Sequence, residues 1–162
     1  MEKNHSVDND NVEAYVLLGL LYMQGSERNK SRLTLAKLLL DRAKEFNENF
    51  APLWNARGLL SLRRDNVAGS LEEFQRAVAL DPNFVEARMN VGNIVLGFRK
   101  YQEAYEQFSE VLKRQPKNYD AVIGLGIAQR GLRDIDKAEA SYKKAVALNG
   151  NRAEGHFNLG VL

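Results

Sequence analysis

The chain has 162 residues, with 23 basic and 21 acidic side chains, 44% hydrophobic residues and no cysteine. That is one domain's worth of chain with an ordinary folded composition, which excludes disordered and collagen-like classes. The missing cysteines remove disulfide frameworks, zinc ribbons and thiol nucleophiles, and two histidines, His5 and His156, are too few for a histidine-rich metal centre.

Residues 1–11 are polar, lack the apolar core of a secretory signal, and read as a disordered or frayed tail. From Ala14 to Met23 runs the longest unbroken apolar stretch, ten residues, too short to cross a bilayer. Within it Tyr15, Leu18, Gly19 and Tyr22 follow the i, i+3, i+4, i+7 spacing of one helix face. Val16, Leu20 and Met23 make a second face, and Ala14, Leu17 and Leu21 a third. A helix apolar on every side is expected to be buried by its neighbours. A polar stretch at 26–31 precedes a second helix carrying Ala36 and Ala43. It reads either as a tolerated loop insertion, because lengthening a surface loop costs little entropy, or as a contact loop on one face.

Beyond residue 50 the chain repeats itself. Gly58, Gly92, Gly126 and Gly160 stand 34 residues apart, as do Phe74, Phe108 and Tyr142, and Pro82, Pro116 and Gly150. Each repeat opens on a mostly apolar helix and continues with a one-sided amphipathic one. From Tyr101 to Arg114, for example, Ala104, Phe108, Val111 and Leu112 face one way, and Gln102, Glu103, Glu106, Gln107, Glu110 and Lys113 the other. Asp81-Pro82-Asn83, Gln115-Pro116-Lys117-Asn118 and Asn149-Gly150-Asn151 are stop signals between repeats. Leu159 and Gly160 begin another unit whose second helix is absent, so the sequence reads as a piece of a longer polypeptide. Four complete units exceed the roughly three that a stable stack needs. The pattern predicts four antiparallel helix pairs, an orphan helix at 153–162, and no sheet.

These residues resemble the tetratricopeptide repeat, whose unit is Trp-x2-Leu-Gly-x2-Tyr, then Ala-x3-Phe, then Pro. The second unit matches with Trp54, Gly58, Phe74, Ala77 and Pro82, the third with Gly92, Ala104, Phe108 and Pro116. The fourth carries Leu125, Gly126, Ala138, Tyr142 and Ala145, and the first Leu18, Gly19, Tyr22, Ala36 and Ala43. Arg57 stands where the family has Leu, and Arg88 and Val122 where it has Trp. The resemblance divides residues 12–162 into repeats 12–50, 51–84, 85–118 and 119–152 and a partial fifth at 153–162. It implies an all-α, right-handed α-solenoid of antiparallel helix pairs, with first helices inside the curve.

The resemblance also implies a concave groove on the first helices. The matching positions are Val16, Leu20 and Met23, then Asn55, Leu59, Leu62 and Arg63, then Met89, Asn93 and Leu96, then Ile123, Ile127 and Arg130, and last Phe157 and Val161. Most are apolar. They serve either as core between adjacent helices or as a trough for an amphipathic helix or extended apolar segment. Chaperone-binding members hold a terminal carboxylate with cationic side chains. The matching positions here, Asn55, Leu59, Asn90, Asp120 and Gly124, carry none, and neither neighbouring register supplies them, so a chaperone C-terminus is not the expected ligand. Asn55, Asn90, Asn93 and Asn158 lie on or beside the inner surface. They either hydrogen-bond an extended peptide or tie helix to helix, in a ladder that Gly124 interrupts.

Catalysis and cofactors are not expected. The carboxylate pairs Glu72/Glu73 and Glu103/Glu106 fall on polar outer faces, His156 is expected to pack, and no nucleophile–base–orienter set assembles. A net charge of +2 with acids interleaved throughout does not make a nucleic-acid stripe. The expectation is a non-catalytic adaptor for a protein or peptide partner, in a bacterial assembly, secretion or motility complex. It involves no nucleic acid and no direct membrane insertion, in a cytoplasmic or periplasmic setting. Two alternatives stand beside it: the repeat arm of a larger enzyme such as a glycosyltransferase, and self-assembly through the open C-terminal helix.

Overall fold

The computed structural model describes the backbone of residues 3–24 and 31–162, and side chains from residue 11 of the first stretch onward. The described residues form nine helices and no strand. They are α1 (Lys3–Met23), α2 (Ser31–Phe46), α3 (Ala51–Arg63), α4 (Val67–Leu80), α5 (Val85–Gly97), α6 (Tyr101–Arg114), α7 (Tyr119–Gly131), α8 (Ile135–Leu148) and α9 (Ala153–Gly160). This is an all-α helical-repeat solenoid. Nearly all of the 26–31 insertion lies outside the described residues, where Ser31 opens α2. The tail expected through residue 11 differs: α1 is already helical at Lys3. Once the packed turns from residue 12 onward form, each preceding residue extends the helix by one hydrogen bond without a new nucleation cost.

The chain forms two compact units, Met1–Ala87 and Arg88–Leu162, with the boundary inside α5. In the first unit α1 packs on α2 and α3, and α3 on α2 and α4; in the second α7 packs on α6, α8 and α9, and α8 on α9.

One three-residue stripe is the source of the pairing. Ala36, Leu40 and Ala43 of α2 recur as Ser70, Phe74 and Ala77 in α4, Ala104, Phe108 and Val111 in α6, and Ala138, Tyr142 and Ala145 in α8, all fully buried. The i, i+4, i+7 spacing puts each set on one side of its helix, with the large residue in the middle and small ones around it. Opposite the large residue sits the glycine of the first helix. A Cβ built on Gly58 would meet the Phe74 ring at 2.5 Å, and one on Gly126 the Tyr142 ring at 2.5 Å. The glycine is therefore required by close approach, as its recurrence inside apolar helices suggests. In the first repeat Leu40 replaces the ring and the clearance at Gly19 is 2.9 Å.

The turns are equally periodic. Asp65, Arg99 and Arg133 adopt positive φ of 60°, 58° and 65° immediately after α3, α5 and α7. After α3 the Asn66 N–H donates to the Ser61 carbonyl at 2.9 Å and the Asp65 N–H to Leu62 at 3.0 Å. This pair of bonds defines a Schellman stop, whose left-handed position favours glycine. Between repeats, Asn47, Asp81 and Asn149 accept through Oδ1 from the N–H of Asn49, Asn83 and Asn151, at 2.9, 2.8 and 3.3 Å. At the third turn, Gln115 accepts instead from the Asn118 amide at 2.8 Å, and Asn118 Oδ1 caps the Ala121 N–H at 3.0 Å.

One expectation for α1 needs correction. Its apolar faces are not all covered: Leu17, Leu18 and Leu21 are exposed, because packing on α2 and α3 uses one stripe of the helix, Val12, Val16, Gly19 and Met23.

Candidate functional site

That stripe settles part of the expected groove. Val16 (2% exposed) and Met23 (1%) sit in the core cluster with Val12, Leu40, Leu53 and Leu60. Ile123 (3%) sits in the cluster with Val122, Ala138 and Tyr142. A ligand cannot reach side chains so deeply covered, so these three support the surface from beneath. Leu20, Asn55, Leu59 and Leu62 in the first unit and Met89, Leu96, Ile127 and Arg130 in the second are half-buried, and Arg63 and Asn93 are exposed. Leu20 and Leu59 flank one core cluster, which brings α1 and α3 side chains to a common surface. Ile127 flanks the cluster of α7 and α8. Phe157 on α9 is 67% exposed, and Val161 and Leu162 beyond it are also uncovered.

The asparagines divide. Asn158 is buried and donates through Nδ2 to the Glu154 carbonyl at 2.9 Å, so it serves its own helix. Asn93 is exposed, and Asn55 and Asn90 are half-buried. The interruption at Gly124 has a packing cause: a Cβ there would meet the Phe108 ring at 2.5 Å.

A polar network absent from the sequence reading links α2, α3 and α4. Arg57 donates through Nη1 to Asp41 Oδ1 at 2.6 Å and through Nε to Glu73 Oε1 at 3.2 Å; Ser61 Oγ donates to Glu73 Oε2 at 2.6 Å. Glu73 is thus a partly buried partner of Arg57, not the solvated carboxylate expected, and Arg57 is no loss of a packing leucine. The same junction recurs in α7 and α8 with roles exchanged, where Ser141 Oγ donates to Gln129 Oε1 at 2.7 Å. In α5 and α6 the corresponding Gln107 accepts from Arg88 at 2.8 Å. Beside the network, Trp54 Nε1 donates to the Glu48 carbonyl at 2.6 Å. Its ring lies under three cations, Arg76 at 3.8 Å and Lys44 and Arg57 at 5.5 Å from the centroid. Burial alone would push the Asp41 carboxyl up, but the hydrogen bonds and charges of Lys37 and Arg57 together hold it below the usual carboxylate value.

Other candidates resolve simply. His156 does not pack: it is exposed, with Nε2 3.0 Å from the Gly150 carbonyl, because α9 presents that face away from α7 and α8. Glu72 and Glu106 are exposed, and Glu103 pairs with Lys100 at 3.2 Å. No group of three or more metal-ligating side chains lies together among the described residues. None of their helices is long and apolar enough to cross a membrane. The start of α9 is tied to α7: the Gly155 N–H donates to Tyr119 Oη at 3.1 Å, and Arg152 stacks 4.0 Å from the Tyr119 centroid while pairing with Asp120 at 2.8 Å.

Comparison with known proteins sets the chain beside a family model and beside relatives in sequence and in structure. The tetratricopeptide repeat family model matches residues 55–119, 92–153 and 123–162. The BBSome complex member BBS4 of Mus musculus is 28% identical over 111 residues, covering 68% of this chain and 21% of BBS4. The type IV pilus assembly protein PilF of Pseudomonas aeruginosa is 23% identical over 142 residues, covering 86% of this chain and 54% of PilF. A solved structure of P. aeruginosa pilF matches with a TM-score of 0.79 at 22% identity, covering 95% of this chain and 68% of that one. YrrB, described as a TPR protein with an unusual peptide-binding site, matches with a TM-score of 0.73 at 23% identity, covering 90% and 73%. The chain therefore spans about a fifth of BBS4 and about half of PilF.

Proposed function

From the premise that the chain belongs to the tetratricopeptide repeat family, a fold of protein–protein interaction, we propose that it is a non-catalytic adaptor whose first helices bind a partner peptide or helix. One observation carries this reading: the first helices of each unit keep half-buried apolar side chains, Leu20, Leu59 and Leu62 in one and Met89, Leu96 and Ile127 in the other, and α3 and α7 each carry an arginine in the last turn, Arg63 and Arg130. Neither arginine has an ion-pair partner among the described residues. Half-buried apolar groups are held rigid by the core yet still present area to a ligand, and each anchor side chain that the ligand buries contributes about 1.5–3 kcal/mol before ordering costs. The unpaired guanidiniums favour an acidic flank and add a modest, salt-sensitive contribution. The setting we propose is an assembly complex, a reading supported by the roles that BBS4 and PilF carry in their names.

The test is Leu59→Glu and Ile127→Glu, with partner binding and thermal unfolding measured together. The expected result is loss of partner binding with unfolding little changed, and only slight weakening of wild-type binding by added salt. A folded variant that binds the natural partner at wild-type affinity would sink the first-helix surface as the site.

A further inference from the structure

From the second repeat to the fourth, the position where the family has tryptophan is filled in three ways. In the second stands Trp54, nearly buried between α2, α3 and α4, stacked under Arg76 while Arg76 also pairs with Glu48 at 3.3 Å. In the third, Arg88 reaches across to Gln107. In the fourth stands Val122, and the space is not filled. A cavity of about 250 Å³ opens there, walled by Leu112, Val122, Leu125 and Ala140, with Gln129 and Ser141 as its polar side and Lys137 and Lys144 at its mouth.

Three of its residues, Leu112, Leu125 and Lys144, lie two repeats beyond the cations that surround the indole of Trp54. Leu112 corresponds to Lys44, Val122 to Trp54 itself, Leu125 to Arg57, Gln129 to Ser61, Ser141 to Glu73, and Lys144 to Arg76. The cavity is thus a tryptophan socket without its tryptophan, and its walls have become more apolar where the first socket is ionic. Two groups in it are poised for a ligand. Gln129 is 94% buried; its Oε1 accepts from Ser141, and its Nε2 hydrogens have no acceptor among the described residues. Lys144 has no ion-pair partner among them, whereas Lys137 pairs with Asp134 at 2.5 Å. At Glu48, whose carboxylate completes the first socket, the corresponding residue is Pro116, which has no charge to offer.

We propose that this cavity receives an aromatic side chain, tryptophan first, from a protein partner that carries an Asp or Glu on an adjoining residue. The ring fills the apolar walls, the Gln129 amide donates to a carbonyl of the incoming chain, and Lys144 does what Arg76 does at Trp54, covering the ring and pairing with the carboxylate. The volume falls below the roughly 300–1,000 Å³ of sites for whole small molecules and suits one side chain. A cation over a desolvated ring attracts its face, and the added carboxylate satisfies the cation's charge. This socket lies between a first helix and the second helices on either side, so it is separate from the first-helix surface proposed above, and either can fail without the other.

The probes are N-acetyl-L-tryptophan, which carries indole and carboxylate together, its carboxamide, and N-acetyl-L-valine, titrated into the ¹⁵N-labelled protein. Expected are saturable shifts at Leu125, Ser141 and the Gln129 side-chain amide, in the millimolar range typical of a single anchor. Binding should be weaker by about threefold or more for the carboxamide and for the Lys144→Ala variant, as loss of an exposed charge contact requires, and absent for valine. Val122→Trp restores the internal ring and should abolish these shifts while unfolding no earlier than wild type. Ala140→Leu, at an exposed position on the cavity wall, blocks the socket without touching the core and should do the same if Val122→Trp fails to fold. Shifts that are absent, scattered over the surface, or unchanged in the blocked variant overturn the proposal.

Discussion

Tyr142 offers the sharpest check on how the repeats are held together. Its ring occupies the place of Phe74 and Phe108, all three fully buried, but its hydroxyl has no hydrogen-bond partner among the described residues. A buried polar group left unsatisfied costs about 1–3 kcal/mol, while removing the oxygen leaves a gap smaller than a methyl group, offsetting at most about 1 kcal/mol. Tyr142→Phe should therefore stabilise the protein by about 0.5–2 kcal/mol, a rise of roughly 2–6 °C in Tm for a chain of this size. The measurement is urea and thermal unfolding followed by helical circular dichroism, with amide exchange in α7 and α8 confirming where the gain lies.

The same residue predicts a pH dependence. Burial raises the Tyr142 hydroxyl above its ordinary value near 10, the Arg130 charge opposing this only weakly. Folded and unfolded chains both keep the group neutral below that value. Above it the unfolded chain releases the proton and the folded chain resists, so wild-type stability declines as pH rises from about 10 through the folded-state pKa. The phenylalanine variant lacks that contribution, and its advantage should widen between neutral pH and pH values above 10. A variant no more stable than wild type at neutral pH, or an advantage that stays constant into the alkaline range, refutes the reasoning and means the hydroxyl is satisfied.

Three further outcomes test the repeat. Arg99→Gly and Arg133→Gly, at the left-handed turn positions, should each stabilise by about 0.5–1 kcal/mol, and Asp65→Gly by less because Asp tolerates that conformation better; denaturant midpoints report the difference. Gly126→Ala should destabilise by about 1–3 kcal/mol by driving a methyl into the Tyr142 ring, whereas Gly97→Ala, with open space around it, should be neutral or stabilising by up to about 1 kcal/mol. Arg57→Leu restores the residue the family uses, yet should destabilise by about 1–3 kcal/mol because Asp41 and Glu73 lose a charged hydrogen-bond donor; Arg57→Leu with Glu73→Gln should recover part of that loss.

The 34-residue period and the helix ends were legible because each is a local demand, whereas the pairing of each glycine with the ring sixteen residues on emerged only with the two helices packed. The phase of α1 was not legible either. Tyr15, Val16, Leu17, Leu18, Leu20 and Leu21 are apolar on every side, so no stripe stands out and the buried face depends on where α2 arrives. That arrival selected Val12, Val16, Gly19 and Met23, which turned two expected groove residues into core and left Leu17 and Leu21 exposed. Ile123 failed for the same reason on α7, where the helix carries apolar side chains around most of its girth.

Departures from the repeat behaved differently, and they carry the information that the shared pattern lacks. Arg57 looked like a lost leucine when its column was read alone. It becomes intelligible only with Asp41 on the preceding helix and Glu73 on the following one, a three-residue substitution in which each charge justifies the others. The fourth repeat reverses this: Leu125 removes the cation, Ser141 removes the carboxylate, and Gln129 inherits the hydrogen bond. With Arg57 and Glu73 replaced, an indole at this position would keep only part of its polar frame, Lys144 in the place of Arg76, and Val122 stands there instead. Positions that hold a repeat together must agree from one copy to the next, because every copy meets the same packing demand. A position free to be indole, guanidinium or empty socket in three copies of one fold is not meeting that demand, and it is there that this chain distinguishes one repeat from another.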